Sequence, residues 1–140
     1  MASNISLNGI DEVIDKLTLF TDTDAVNSAL GEACALVERS ARQKAPKGSG
    51  DLRRSITSEV KDLVGYVFTP LEYAPYVEFG TGLFAENGNG RQEVPWCYKD
   101  EEGKWHTTSG MYPHPFLRPA LYENRKKILE KIKGGLTNNA

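Results

Sequence analysis

Apolar residues recur with a helical period through the N-terminal third of the chain. Asn8 is placed to cap a helix, and Asp11 and Glu12 fall in its first turn, where the helix dipole favours acids. Ile10, Val13, Ile14 and Leu17 then follow at i, i+3, i+4 and i+7, which predicts a short amphipathic helix. The polar stretch Thr21-Asp22-Thr23-Asp24 breaks it and caps the next one. Val26, Ala29, Leu30, Ala33, Cys34, Val37 and Ala41 keep one face apolar for about five turns. Most of these side chains are small, so a sheet or a second helix can approach closely. This long helix is expected at the centre of the core, ending at Pro46 with Gly48 and Gly50 beyond.

The period then changes to two. Ile56, Ser58 and Val60 alternate with polar neighbours, and Val64, Tyr66 and Phe68 alternate again after Lys61-Asp62-Leu63. That predicts a β-hairpin or two adjacent antiparallel strands, closed by Pro70. The segment Tyr73 to Phe79 reads either as a turn of helix or as an extended connector. In residues 83–112, Asn87-Gly88-Asn89-Gly90 forms turns. Trp96, Tyr98, Trp105 and Thr107 flank Asp100-Glu101-Glu102-Gly103, predicting a second hairpin with aromatic cross-strand pairs. An insertion of this length is more often functional or mobile than inert. After Pro115, the residues Leu117, Ala120, Leu121, Ile128 and Ile132 recur at helical spacing. They predict one closing amphipathic helix with Arg125, Lys126, Lys127, Lys131 and Lys133 off its stripe or near its end.

The expected fold class is therefore α+β. A small antiparallel sheet packs against the long central helix, with N- and C-terminal amphipathic helices and an inserted hairpin. One domain is expected over residues 1–136, with 137–140 as a disordered tail. A length of 140 residues fits one domain with its own core.

Charge adds a second layer. The net charge is −2, which argues against a non-specific nucleic-acid binder. It is unevenly spread: residues 1–38 carry −6, 39–61 carry +5, 62–102 carry −6 and 103–140 carry +5. Clustering on a solvated surface explains any single block. Four alternating blocks also suit a surface that attracts copies of itself or partners of opposite sign. Cys34 and Cys97 do not make a disulfide framework, and Cys34 reads as a small core residue. No apolar run reaches the ~20 residues of a membrane span, and no secretory signal is visible, so the cytoplasm is the expected site of synthesis.

Little in the chain points to catalysis. Cys97, His106 and His114 match no zinc spacing, and the two histidines read as polar loop residues. Gly80-Thr81-Gly82 is too short for a phosphate cradle, and the Walker ending is missing. Glu72 and Glu78 make no acid/base pair without a cleft, and no serine sits in a nucleophile elbow. No catalytic residue, metal or cofactor is expected. The basic segments 39–61 and 118–133 support an alternative, an intracellular nucleic-acid-binding module. No stacking aromatics interleave the basic residues of the first, so Arg53 and Arg54 are read as contacts to protein.

Three stretches stand out in order between the outer helices. They are Ala45-Pro46-Lys47-Gly48-Ser49-Gly50-Asp51-Leu52-Arg53-Arg54-Ser55-Ile56, Tyr73-Ala74-Pro75-Tyr76-Val77-Glu78-Phe79-Gly80-Thr81-Gly82 and Pro115-Phe116-Leu117-Arg118-Pro119-Ala120-Leu121. Together, over about residues 7–132, they resemble the tailed-bacteriophage family typified by gene product ten of coliphage HK-ninety-seven. Ser49 stands where the family pattern usually has threonine, and 83–112 is longer than in short members. The resemblance implies a structural protein of the neck and tail-completion region of siphovirus-type virions. It would form a ring, expected to be hexameric, between head-completion or connector proteins and tail-tube or tail-terminator proteins. No membrane or specific nucleic acid is implied, the ring lumen leaving room for DNA to pass.

The motif residues also carry physical expectations. Gly50 should allow a tight turn or positive φ, and Leu52 and Ile56 should anchor the strand start. At least two of Tyr73, Tyr76 and Phe79 should pack within the monomer, the rest serving a subunit contact. Glu78 is read as a partner for Arg53, Arg54 or Arg118, or else as a surface glutamate. The expected subunit or partner interface is Arg53, Arg54, Tyr73, Tyr76, Glu78, Phe79, Trp96, Trp105 and Arg118.

Overall fold

A computed structural model describes residues 5–6 and 23–137. The helix expected from Asn8 to Leu17 lies outside the described residues, as do residues 138–140 of the expected 137–140 tail, whereas Thr137 belongs to the last helix. The fold is α+β, as the sequence pattern predicts. The chain divides into two compact units, one running to Leu71 and resuming at Phe116, the other spanning Glu72–Pro115.

The first unit is built on helix α1, Thr23–Lys44. Its buried residues are Ala25, Val26, Ala29, Leu30, Ala33, Cys34, Val37 and Ala41, the predicted stripe plus Ala25. Burial pushes the Cys34 thiol up to about 11, with nearby Glu38 adding to the shift, which keeps it an unreactive core group. After α1, Gly50 takes φ 85, and the short helix α2 follows over Asp51–Ser55. Leu52 is buried there, one turn ahead of the sheet, so it anchors α2 and not the strand.

Strand β1, Ile5–Ser6, β2, Thr57–Lys61, and β3, Val64–Phe68, form an antiparallel sheet in the order β1-β3-β2. In the register, Ser58 faces Val67 and Val60 faces Gly65. The buried positions of β3 are Gly65 and Val67, whereas Val64, Tyr66 and Phe68 are half-buried. The apolar alternation thus marked the opposite face of β3 from the one that meets the core. α1 decides this: Glu38 accepts a 2.6 Å hydrogen bond from Ser58, and Arg42 donates to the Ile56 carbonyl at 2.7 Å, so the Ser58 face turns toward the helix. Arg42 also pairs with Glu38 at 2.7 Å.

The β2–β3 turn has only two residues, Asp62 and Leu63, at φ 52 and 64. Asn-Gly is the usual sequence for such a turn, and a leucine pays for the left-handed conformation. Replacing Asp62-Leu63 by Asn-Gly is expected to stabilise the protein by about 1 kcal/mol. Urea denaturation with an unchanged slope would register it.

The closing helix differs from expectation. It is two helices, α4 at Leu117–Glu123 and α5 at Arg125–Thr137, separated at Asn124. The Asn124 side-chain amide donates to the Ala120 carbonyl at 2.7 Å and to Ser40 of α1 at 3.0 Å. An amide side chain that bonds its own helix backbone competes with the helical ladder, which explains the break. Ile128, Ile132 and Leu136 of α5 are buried, and the five basic residues are outside that stripe.

Candidate functional site

The second unit starts with a short helix, α3, over Ala74–Phe79, with Pro75 in its first turn. This resolves the Tyr73–Phe79 alternatives in favour of helix. The chain leaves α3 through Gly80-Thr81-Gly82, which pairs backbone to backbone with residues 109–111. Thr81 donates to the Met111 carbonyl at 2.9 Å, Leu83 donates to the Ser109 carbonyl at 3.1 Å, and the Met111 amide donates to Thr81 Oγ1 at 2.9 Å. His114 donates its amide to the Val77 carbonyl at 2.7 Å, and Phe84 stacks on Tyr112 at 4.0 Å. Gly82 has φ +60, and a Cβ there would lie 2.3 Å from the Ser109 carbonyl oxygen. The motif therefore works as a strap with no room for a side chain at either glycine.

The strap holds a hairpin made of β4, Trp96–Lys99, and β5, Trp105–Thr108. The register pairs Trp96 with Thr108, Cys97 with Thr107, Tyr98 with His106 and Lys99 with Trp105. No two of Trp96, Tyr98 and Trp105 are directly opposed. Tyr98 stacks on His106 at 5.3 Å, and the Lys99 ammonium lies 5.9 Å over Trp105. Trp105 is on the face opposite Trp96, because odd and even positions alternate along a strand. The same alternation puts Cys97 and His106 on different faces, so they do not converge on one ligand.

His106 is a strand residue, not a loop residue, and its Nε2 sits 2.6 Å from Asp100 Oδ2. This contact, with the Lys104 amide on the same carboxylate, holds Asp100 below its usual range. Asp100 also accepts from the Glu102 amide at 3.0 Å, so its carboxylate organises the hairpin turn.

Beside the base of the hairpin lies a cavity of about 590 Å³. Pro75, Tyr76, Phe79, Ala85 and Trp96 supply its apolar lining, and Asn87, Asn89 and Arg91 its polar groups. The Arg91 guanidinium sits 5.3 Å over the Trp96 ring. Three predicted interface residues, Tyr76, Phe79 and Trp96, are thus brought together. Arg91 was not singled out by sequence reasoning. Its position at the edge of the Asn-Gly turn tract was visible, but its approach to Trp96 depends on how that tract folds.

The other predicted residues are placed elsewhere. Tyr73 and Tyr76 are exposed and only Phe79 is half-buried, so one of the three aromatics packs where two were expected. A six-residue helix has too little buried face to cover more. Glu78 is only 1 % exposed, which removes the surface-glutamate reading. Arg53 donates to the Ala45 carbonyl at 2.9 and 3.1 Å, closing the C-terminal end of α1. Arg54 pairs with Asp51, Trp105 is 66 % exposed, and Arg118 is half-buried in α4. Arg39, Arg42, Gln43, Arg53 and Arg54 line a second cleft of about 340 Å³. Three of its four guanidinium groups are already bonded within the protein.

Residues 11–80 match the family model described as "Bacteriophage HK97-gp10, putative tail-component". The chain belongs to this family. The match takes in α1, α2, β2, β3 and α3, hence the first motif and the second as far as Gly80. The third motif, at Pro115–Leu121, lies beyond the matched residues. No curated protein and no solved structure matches the chain. The HK97-gp10-like assignment makes it a phage tail component and places it in the virion. Among the described residues, no helix is long and apolar enough to cross a membrane.

Proposed function

We propose that this phage tail component is a non-catalytic neck or tail-completion protein that forms a ring at the head–tail junction. It joins head-completion or connector proteins on one side and tail-tube or tail-terminator proteins on the other. The observation that carries this reading is the distribution of exposed apolar side chains. Seven of the nine large hydrophobic residues exposed among the described residues belong to the 72–115 unit. Apolar surface gathered in this way marks a protein contact. A ring requires a heterologous contact, in which one face meets a different face of the next copy. The charge blocks of alternating sign along the chain suit such a contact.

Electron microscopy of the purified protein with connector and tail-tube partners tests the reading, which expects a closed ring between them. Salt supplies a second check. Exposed charge pairs are screened beyond about 10 Å at 0.1 M salt and about 3 Å at 1 M. Ring assembly should weaken at least several-fold between those limits, followed by light scattering. Assembly that is unchanged across the series removes the electrostatic part of the argument.

A further inference from the structure

The hairpin presents a combination that its own unit does not use. Trp105 is 66 % exposed, and a ribbon of two strands is marginal in water unless something covers it. Beside Trp105, across the turn, stand Glu101 and Glu102, both exposed and without ionic partners among the described residues. At the other end of the same ribbon is the cavity of about 590 Å³, with an apolar wall of Tyr76, Phe79 and Trp96. Arg91 edges it and likewise has no ionic partner among the described residues. A cavity of this size accepts an indole, since pockets of roughly 300–1,000 Å³ hold whole small molecules.

Trp105 cannot reach the cavity of its own chain. It pairs with Lys99, three residues from Trp96, so the ladder holds it on the order of 10 Å away along the strand. It also points from the opposite face of the ribbon. The complementary groups can therefore meet only between molecules.

We propose that the hairpin tip of one copy docks in the cavity of the next. Trp105 fills the apolar space between Tyr76, Phe79 and Trp96, and Glu101 or Glu102 pairs with Arg91. Knob and socket are different surfaces on one chain, so the contact is head-to-tail. This rests on the ring reading above and supplies its subunit contact. An aromatic anchor seated in a desolvated pocket, with a charge pair at its edge, is the usual form of an interface hot spot. Lys99 covers part of the Trp105 ring in the free chain and must swing aside, a small cost for an exposed side chain. Lys104 is also exposed at the tip, where the two carboxylates of Glu101 and Glu102 outnumber it.

The test uses full-length chains in sedimentation velocity at low salt, up to millimolar concentration. The wild-type chain should associate with concentration. Trp105→Ala removes the knob, Arg91→Glu spoils the socket, and each should weaken association at least ~10-fold. Both positions are exposed, and circular dichroism checks that each variant folds. Mixing the two variants is the decisive arm. The Arg91→Glu chain keeps its knob and the Trp105→Ala chain keeps its socket, so the mixture should form a one-to-one dimer that grows no further. A mixture that stays monomeric, or a Trp105→Ala chain that associates like the wild type, overturns the proposal. A wild-type chain that is monomeric throughout overturns it too. Rings that still form from Trp105→Ala subunits with connector partners would remove this contact and leave the ring reading standing. Absence of any ring with partners would remove the ring reading itself.

Discussion

Gly82→Ala is expected to open the 72–115 unit at its strap. The added Cβ would meet the Ser109 carbonyl oxygen at 2.3 Å and the Gly110 Cα at 2.8 Å, both of them backbone atoms. Backbone cannot turn aside as a flexible side chain can. The residue would also have to keep φ +60, which an alanine resists. Overpacking costs about 1–3 kcal/mol and the left-handed conformation about 1–2 more, so the expected loss is about 3 kcal/mol. Hydrogen exchange reads it directly. The amides of Thr81, Leu83 and Met111 should lose roughly 100-fold of their protection, because they make the strap. Gly88→Ala is the control: it too has positive φ, at +67, but its Cβ would meet nothing within 4 Å. It should cost only about 1 kcal/mol. Equal effects at the two glycines would show that the strap is not tightly closed.

Phe116→Ala is expected to cost about 3–5 kcal/mol, because a large buried aromatic leaves a cavity that its surroundings fill only in part. Phe116 is 0 % exposed and precedes α4 directly, so it fixes where the chain enters the closing helices. A loss of this size takes up much of the 5–15 kcal/mol that holds a typical domain together. Urea denaturation should show a lower midpoint with an unchanged slope, as expected when stability falls but the buried surface does not. Leu129→Ala, on the exposed side of α5, should shift stability by no more than about 0.5 kcal/mol. A Phe116 variant as stable as the Leu129 variant would contradict the placement of this ring in the core.

The elements with a strong period were legible from the chain. The α1 stripe is an example, since eight buried positions at helical spacing leave few other arrangements. Both hairpins were legible for the same reason, each being a local pairing across a short turn. Three things were not. The buried parity of β3 was missed because Val64, Tyr66 and Phe68 are the more apolar set, whereas Gly65 and Val67 are the positions turned inward. The break at Asn124 was missed because the apolar spacing continues through it. The strap at Gly80-Thr81-Gly82 was missed because its partners are about thirty residues away, at 109–111. In the candidate site, Tyr76, Phe79 and Trp96 were singled out as aromatics, but their convergence with Arg91 was not foreseen.

The α+β class, the helix at the core, the two hairpins and membership of a phage tail-component family can all be read from the unfolded chain. These follow from local periodicity and from motifs in order, and neither needs the chain to be folded. Three features become visible once the chain is folded: which face of the sheet meets α1, how the glycine strap closes, and that Trp96 and Trp105 stand on opposite faces of one ribbon. Each of these depends on backbone from distant positions meeting in one register. A register slip of one residue would exchange the two faces of the hairpin without altering its alternating pattern.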